Sequence, residues 1–395
     1  MSEDAPSQQR PAHTSPVSED AATEQRPTGP GEDPEPRSSA QEEMPRVRFS
    51  RKRLLGSALF IAAAIAFLYF VLPSLPGPQE TWDQVQHGNA WWLALGAALE
   101  LLSFCGYVAL FRAVFVRGDS RIDWRESYQI TMAGLAATRL FASAGAGGIA
   151  LTAWALRRSG MPARVAACRL IAFMALLYSV YMAALVIDGL GLYLGVLHGR
   201  APFAITIVPA IFGAGVIALF LAVSLLPGDF DRLVARWTSG GGKLGRLAIR
   251  VAAAPATAAS GVRTAIALIR SRDPQLVGAV AWWGFDIAVL WACFHAFGAS
   301  PPGGVIVMAY FVGMIANALP LPGGIGGVDG GMIGAFTALG IDFEVSLVSV
   351  LTYRVMAFWL PTLPGVVAYL QLRRTVHRWS AEPPGLVREA SGPAS

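Results

Sequence analysis

The chain has 395 residues, of which 54% are hydrophobic and only 14% are charged. Soluble proteins carry roughly 25% charged residues, and a mean hydropathy of +0.48 would leave large apolar areas in contact with water. These values exclude an ordinary soluble protein and predict an all-α protein that crosses the membrane several times. The net charge of +5 therefore bears on orientation, because Lys and Arg in short loops mark the cytoplasmic side.

Both ends of the chain differ from the rest. Residues 1–45 are rich in Pro, Ser, Glu and Asp and contain almost no large apolar side chains. Such a segment buries too little surface to offset the entropy of ordering, so it predicts a disordered tail. Residues 379–395 predict a second disordered tail for the same reason. The membrane domain is expected over residues 46–378.

Six apolar stretches have about the 20 residues that a helix needs to cross the hydrocarbon core. They are Leu54–Leu72, Trp91–Val116, Val165–Ile187, Ala204–Leu226, Leu276–Phe297 and Val345–Leu372, the last interrupted near its end by Pro361 and Pro364. Two further apolar regions, residues 128–158 and 305–340, are broken by SAGAGG at 143–148 and by PLPGGIGG at 320–327. They predict two helix–break–helix hairpins, either re-entrant or spanning twice, with the break covered by protein or a water-filled cavity.

Basic residues cluster before the first span and after the last one, which predicts a plasma-membrane protein with both termini cytoplasmic. Three spans separate the two hairpins, so the hairpins are expected to enter from opposite faces. Each is followed by a glycine, a short linker and a long span. This shared order predicts an inverted repeat, which is typical of secondary transporters. The basic, amphipathic segment 240–272 predicts a helix on the inner leaflet or a solvated cytoplasmic linker.

The informative ionisable side chains inside apolar segments are Glu100, Arg139, Arg169, Asp286, Asp329 and Arg354. Each would cost about 2.5–3.5 kcal/mol at the bilayer centre, so pairing between acids and arginines is expected. Such pairs either join helices or form a binding site. Arg169 lies near an interface and is expected to snorkel. Arg139, Asp329 and Arg354 lie next to breaks, which favours function, and the glycines beside them allow backbone amides to approach an anion.

The sequence lacks the patterns of common soluble enzymes. It contains no GxSxG, no HExxH and no His or Cys cluster with metal spacing, and Cys105, Cys168 and Cys293 all lie in apolar runs. We therefore expect no cofactor, no metal ion and no nucleic-acid partner.

The second hairpin carries a recognisable pattern. NALPLPGGIGGVDGG at 317–331, followed by TYRVMAFWLPTLPG at 352–365, resembles the lysylphosphatidylglycerol synthase transmembrane family, also called flippase-like. TRLFASAGAGGIALTAWALRRSG in the first hairpin is similar to the partner element. The family more often has Glu where this chain has Asp329, and the first hairpin lacks a proline before its glycines. The substrate-binding residues expected from the charges, breaks and resemblance are Glu100, Arg139, Gly145, Gly147, Gly148, Asp286, Asn317, Pro322, Gly323, Gly324, Gly326, Asp329, Tyr353 and Arg354.

The resemblance implies a lipid flippase or transporter that moves a phospholipid, including aminoacylated phosphatidylglycerol, or a lipid-linked molecule between leaflets. In relatives a soluble domain synthesises the lipid, and no segment after residue 375 resembles it, so translocation without enzyme activity is expected. Two alternatives stay open. One is a membrane enzyme that uses Asp329, Asp286 or Glu100 as acid or base, and the other is a non-transporting partner of a separate synthase or glycosyltransferase.

Overall fold

The computed structural model of the chain describes residues 88–117, 120–140, 146–225, 243–318, 324 and 326–381. The predicted amino-terminal tail and the predicted first span, Leu54–Leu72, lie outside the described residues, as does the chain after residue 381. The described residues form helices and no strand. The helices are α1 (Ala90–Phe115), α2 (Trp124–Leu140), α3 (Ala146–Arg158), α4 (Ala163–Tyr193), α5 (Phe203–Ser224), α6 (Lys243–Ser271), α7 (Gly278–Ala296), α8 (Gly303–Ile315), α9 (Gly327–Ala338), α10 (Phe343–Arg354) and α11 (Leu360–Ala381).

Five helical segments are long and apolar enough to cross a membrane. They are Ala90–Phe115, Ala163–Tyr193, Phe203–Ser224, Pro274–Ala296 and Phe343–Ser380. Each overlaps one of the second to sixth predicted spans, which confirms a multi-pass, all-helical membrane protein for the part of the chain that is described. Exposed apolar side chains such as Ile211 and Leu219 cover the outside of α5, as expected for contact with lipid.

The last span differs from its prediction. Pro361 and Pro364 do not interrupt it, because a π-helix at Val355–Trp359 joins α10 to α11 without a break. Proline has no N–H to donate to the carbonyl four residues earlier. A local π-turn is a known way to absorb such a defect while the helix continues.

Both predicted hairpins consist of two helices that pack against each other. The first is formed by α2 and α3, and the second by α8 and α9. The 13 residues of α8 rise only about 20 Å, whereas the hydrocarbon core is about 30 Å thick. The helices of the second hairpin are therefore half-helices. In the first hairpin, the close packing of α2 against α3 depends on glycine, since a Cβ on Gly148 would lie 2.5 Å from the carbonyl oxygen of Gly134.

The order of elements recurs along the chain. The helices α2, α3 and α4 begin at residues 124, 146 and 163, and α8, α9 and α10 begin at residues 303, 327 and 343, each about 180 residues later. The turns before α4 and α10 contain Gly160 and Gly340, with φ of 95° and 92°. This conformation is strained for other residues. The recurrence supports a repeat, and the inversion of its second copy stays a prediction.

The basic segment forms helix α6, which packs on α4 and α5. Its apolar face is buried at Ala259, Val262, Ala265 and Leu268. A helix with one face against protein is not a freely solvated linker, so that alternative is wrong for the described part of the segment. Contact between its basic face and lipid stays a prediction.

Candidate functional site

Asp329, in the second hairpin, forms an ion pair with Arg354, in the last span. The Nε of Arg354 lies 2.5 Å from Oδ1 of Asp329, and the two side chains are only 10% and 17% exposed. Asp329 lies in the first turn of α9, and its Oδ2 accepts a hydrogen bond of 2.9 Å from the N–H of Gly326. The carboxylate thereby caps the half-helix at its positive end. The pairing expected from the sequence is present, while the Gly326 amide already has a partner in the protein.

Arg139 joins the first hairpin to the last span. Its Nη2 donates to the carbonyl of Ala357 at 2.9 Å and its Nη1 to the carbonyl of Phe358 at 3.1 Å. In a regular α-helix the N–H of residue 361 would bond the Ala357 carbonyl, but residue 361 is proline. Arg139 therefore satisfies a carbonyl that would otherwise lack a partner in an apolar environment. Two of its five N–H groups are used in this way, so three are left for other contacts.

A phenylalanine connects the two arginines. The guanidinium carbon of Arg354 lies 4.5 Å from the ring centroid of Phe358, and that of Arg139 lies 5.3 Å from the same centroid. These are cation–π distances. Two positive charges, one from the first hairpin and one from the last span, are thus held beside one ring.

A second polar cluster is centred on Asp286 in α7. Its Oδ2 accepts a hydrogen bond of 2.9 Å from the hydroxyl of Tyr353 and a short one from the hydroxyl of Tyr310. The carboxyl of Glu100, in α1, is a close neighbour of Asp286, and the two acids act on each other electrostatically. Arg139 acts electrostatically on both acids. Glu100 and Asp286 are 5% and 7% exposed, so this cluster is buried.

A cavity of about 530 Å³ connects these groups. Both hairpins contribute to its wall, as do α1, α4, α7 and the last span. Of the predicted substrate-binding residues, those that line it are Arg139, Gly148, Asp286, Asn317, Gly324, Tyr353 and Arg354. Seven of the fourteen predicted residues therefore line one cavity, and their role in substrate binding stays a prediction.

Other predicted residues lie behind the wall of this cavity. Asp329 and Glu100 support Arg354 and Asp286 without lining the cavity, and Gly147 and Gly326 lie in or beside the first turns of α3 and α9. Gly324 packs against Asn317, whose Oδ1 would be 2.5 Å from a Cβ at that position. The predicted residues Gly145, Pro322 and Gly323 lie outside the described residues.

Sequence reasoning missed the aromatic wall of the cavity. Besides the predicted Tyr353, the aromatic residues that line it are Tyr107, Phe111, Phe115, Phe173, Tyr178, Trp282, Trp283, Tyr310 and Phe358. Nothing in an apolar span separates a ring that faces lipid from one that faces a cavity. Only weak evidence in the sequence pointed to Tyr310: a hydroxyl in an otherwise apolar helix needs a hydrogen-bond partner inside the protein.

Arg169 contacts the end of a helix and not the cavity. Its Nη1 donates to the carbonyl of Phe115 at 3.0 Å, at the carboxyl end of α1 where helix carbonyls lack intrahelical partners. It does not line the cavity. Among the described residues no group of three or more His, Cys, Asp and Glu side chains is placed to hold a metal ion. All three cysteines are free thiols.

Long apolar helices around two broken hairpins, with paired charges and a buried cavity, define a multi-pass helical membrane protein. The chain belongs to the family described as the lysylphosphatidylglycerol synthase TM region, whose model matches residues 54–365. It is also similar to chains described as UPF0104 membrane protein from Methanothermobacter thermautotrophicus. One match is 23% identical over 79% of this chain and 94% of the relative. Another is 34% identical over 22% of this chain but covers only 25% of the relative.

Proposed function

We propose that the protein moves a phospholipid, or another lipid-linked molecule with a phosphate group, between the leaflets of the plasma membrane. In this proposal both termini are cytoplasmic. One observation carries it: Arg139 lies on α2, Arg354 lies at the end of α10, and both line one cavity whose wall is mainly aromatic and apolar. A cavity with cationic groups and an apolar wall suits an amphipathic ligand with an anionic headgroup.

The chemistry of the two arginines fits a phosphodiester. Guanidinium groups bind phosphate oxygens through two parallel N–H donors. Arg139 keeps three N–H groups beyond its two carbonyl contacts. A phosphate near Arg354 would compete with Asp329 for the same guanidinium, so lipid binding would weaken the ion pair that joins α9 to the last span. This competition gives the headgroup a way to loosen the second hairpin.

The name of the family includes lysylphosphatidylglycerol, which carries an amine in addition to its phosphate. In that case Asp329, once separated from Arg354, would offer a carboxylate to the amine. A headgroup without an amine would use the arginines alone. The proposal covers both, and comparing lipids with and without the amine distinguishes them.

The test is a translocation assay with the purified full-length protein in vesicles of phosphatidylethanolamine and phosphatidylglycerol. Fluorescent phosphatidylglycerol is placed in both leaflets, and an impermeant reductant then quenches the outer label. We expect the quenched fraction to exceed one half only with protein present, because inner-leaflet label becomes accessible. Arg139→Gln should lose this gain. Arg117→Gln is the matched control, since Arg117 is 39% exposed, lies in a surface pair with Asp273 and does not line the cavity.

Each other outcome has a meaning. Quenching that stops at one half in every sample contradicts translocation of this lipid. A new lipid product in the same vesicles, detected by mass spectrometry, would favour the membrane enzyme. Arg139-dependent lipid binding without translocation would favour a partner subunit.

A further inference from the structure

Glu100 and Asp286 form a buried pair of carboxyl groups at the packing interface between α1 and α7. These two helices approach closely, and Gly106 on α1 lies directly against Gly278 on α7. Both acids are more than nine-tenths buried. Their separation is fixed by the helix packing, so the two groups cannot move apart into water.

The hydrogen bonds around this pair are incomplete. Oδ2 of Asp286 accepts from the hydroxyls of Tyr310 and Tyr353. Oε2 of Glu100 has no hydrogen-bond partner among the described residues, although the carboxyl group of Asp286 is a close neighbour. Two ionised carboxylates have only acceptor oxygens, so a hydrogen bond between them requires a proton on one of them.

The local charges are also unequal. Asp329 and Arg354 neutralise each other in a direct ion pair. Among the described residues, Arg139, from α2, is the cation that acts on both acids. The remaining titratable neighbours are Tyr310, Tyr353 and Cys293, which are uncharged when protonated. The predicted span Leu54–Leu72, outside the described residues, contains no Asp, Glu, His, Lys or Arg. With both acids ionised, this buried cluster would carry one uncompensated negative charge, which is costly in a membrane.

We propose that Glu100 and Asp286 together bind one proton, and that this proton is coupled to the occupancy of the cavity by an anion at Arg139. The coupling rests on the proposed function, because it needs an anionic headgroup in the cavity. A phosphate that engages Arg139 draws the compensating positive charge away from the acids. The pair then takes up a proton from water. Linkage is reciprocal, so a proton on the pair also strengthens anion binding.

The proton site is tested without any lipid substrate. The probe is infrared difference spectroscopy of the full-length protein in phosphatidylcholine nanodiscs, recorded across a pH titration. We expect a carbonyl band of a protonated carboxyl group that titrates in the wild type and disappears in Glu100→Gln. The amide of Gln keeps the size of the side chain and supplies the N–H donor that the pair lacks. Asp188→Asn is the matched control, because Asp188 is also 7% exposed but lies on α4 beside Gly304.

The coupling is tested by proton uptake. Short-chain phosphatidylglycerol is added to the same nanodiscs in weak buffer with a pH indicator, and its binding is measured in parallel. We expect proton uptake on lipid binding in the wild type and in Asp188→Asn. Glu100→Gln should bind the lipid and lose the uptake. Glu100→Gln imitates the protonated pair, so no proton has to bind when the lipid binds. Arg139 is still present to contact the lipid phosphate.

The outcomes separate the two proposals. If Glu100→Gln removes no titrating band, the proton site is overturned, whether or not the protein moves lipid; a band that only Asp188→Asn removes belongs to Asp188. A band that Glu100→Gln removes, together with lipid binding that takes up no proton, overturns the coupling. If phosphatidylglycerol neither binds nor moves, the proposed function and the coupling fail for this lipid, and the infrared result still decides whether the pair holds a proton.

Discussion

The guanidinium of Arg139 lies 2.9 Å from the carbonyl oxygen of Ala357, the carbonyl that Pro361 leaves without its helical N–H donor. One residue of the first hairpin thus completes the hydrogen bonding of the last span. The π-helix at Val355–Trp359 and the hydrogen bonds of Arg139 both lie where Pro361 removes a helical N–H donor. Arg139 joins the first hairpin to the last span next to the cavity.

We expect Arg139→Lys to lower both stability and translocation. An ammonium group is a compact donor and cannot span two successive carbonyls as the planar guanidinium does. Leaving the Ala357 carbonyl unsatisfied should cost about 1–3 kcal/mol. The measurements are thermal unfolding in detergent and the vesicle translocation assay. Pro361→Ala restores an N–H for Ala357, so the stability cost of Arg139→Lys should shrink in that background. An equal cost in both backgrounds would contradict this explanation of the π-helix.

We expect Asp329→Asn to be expressed but to translocate poorly, whereas Asp329→Glu should retain more activity because the carboxylate survives. Arg354→Lys should also be poor, since it loses the planar contact to carboxylate or phosphate. Loss of a hydrogen bond to a charged group costs about 1.5–3 kcal/mol, which corresponds to roughly 10- to 150-fold in rate if it acts at the limiting step. The measurement is translocation of labelled lipid, normalised to folded protein.

The pair Asp329→Asn with Arg354→Lys also forms a double-mutant cycle. Residues that act together should give a combined loss well below the sum of the single losses. Normal translocation in both single variants would make the ion pair structural only. The binding site would then centre on Arg139, Glu100 and Asp286.

Sequence reasoning located the spans and the charged candidates because the relevant signals are local. A run of apolar residues predicts a span by itself, and Glu100 or Asp286 stands out against such a run. The pairing of Asp329 with Arg354 was also accessible, since the two residues border the same broken hairpin. These predictions needed no knowledge of how distant helices pack.

The rest depends on contacts between distant parts of the chain. Arg139 and Ala357 are more than 200 residues apart, and no local pattern indicates that the arginine fills the gap left by Pro361. The neighbouring positions of Glu100 and Asp286 depend on the register between α1 and α7. The aromatic wall likewise depends on which side of each helix faces inward, and an apolar span has no polar face to indicate this.

We expect Gly148→Ala to destabilise the first hairpin. The added methyl group would lie 2.5 Å from the Gly134 carbonyl oxygen and closer still to Oγ1 of Thr138. Forcing the two helices apart should cost about 1–3 kcal/mol. Gly215→Ala on α5 is the control, because a Cβ there would meet no atom within 4 Å, and alanine in a helix is favoured by up to about 1 kcal/mol. Thermal unfolding measures both, and similar melting temperatures would contradict the close packing of α2 and α3.

The inverted repeat predicts that the two breaks are reached from opposite sides of the membrane. Gly145→Cys and Ile325→Cys place one thiol at each break, at positions outside the described residues. The background chain has Cys105, Cys168 and Cys293 replaced, so that only the new thiol reacts. In sealed, right-side-out vesicles an impermeant maleimide should label one variant, and inside-out vesicles should label the other. Lipid that occupies the cavity should slow both reactions. Labelling of both variants from the same side would contradict the inversion, while the helix boundaries that recur about 180 residues apart would then describe a parallel repeat.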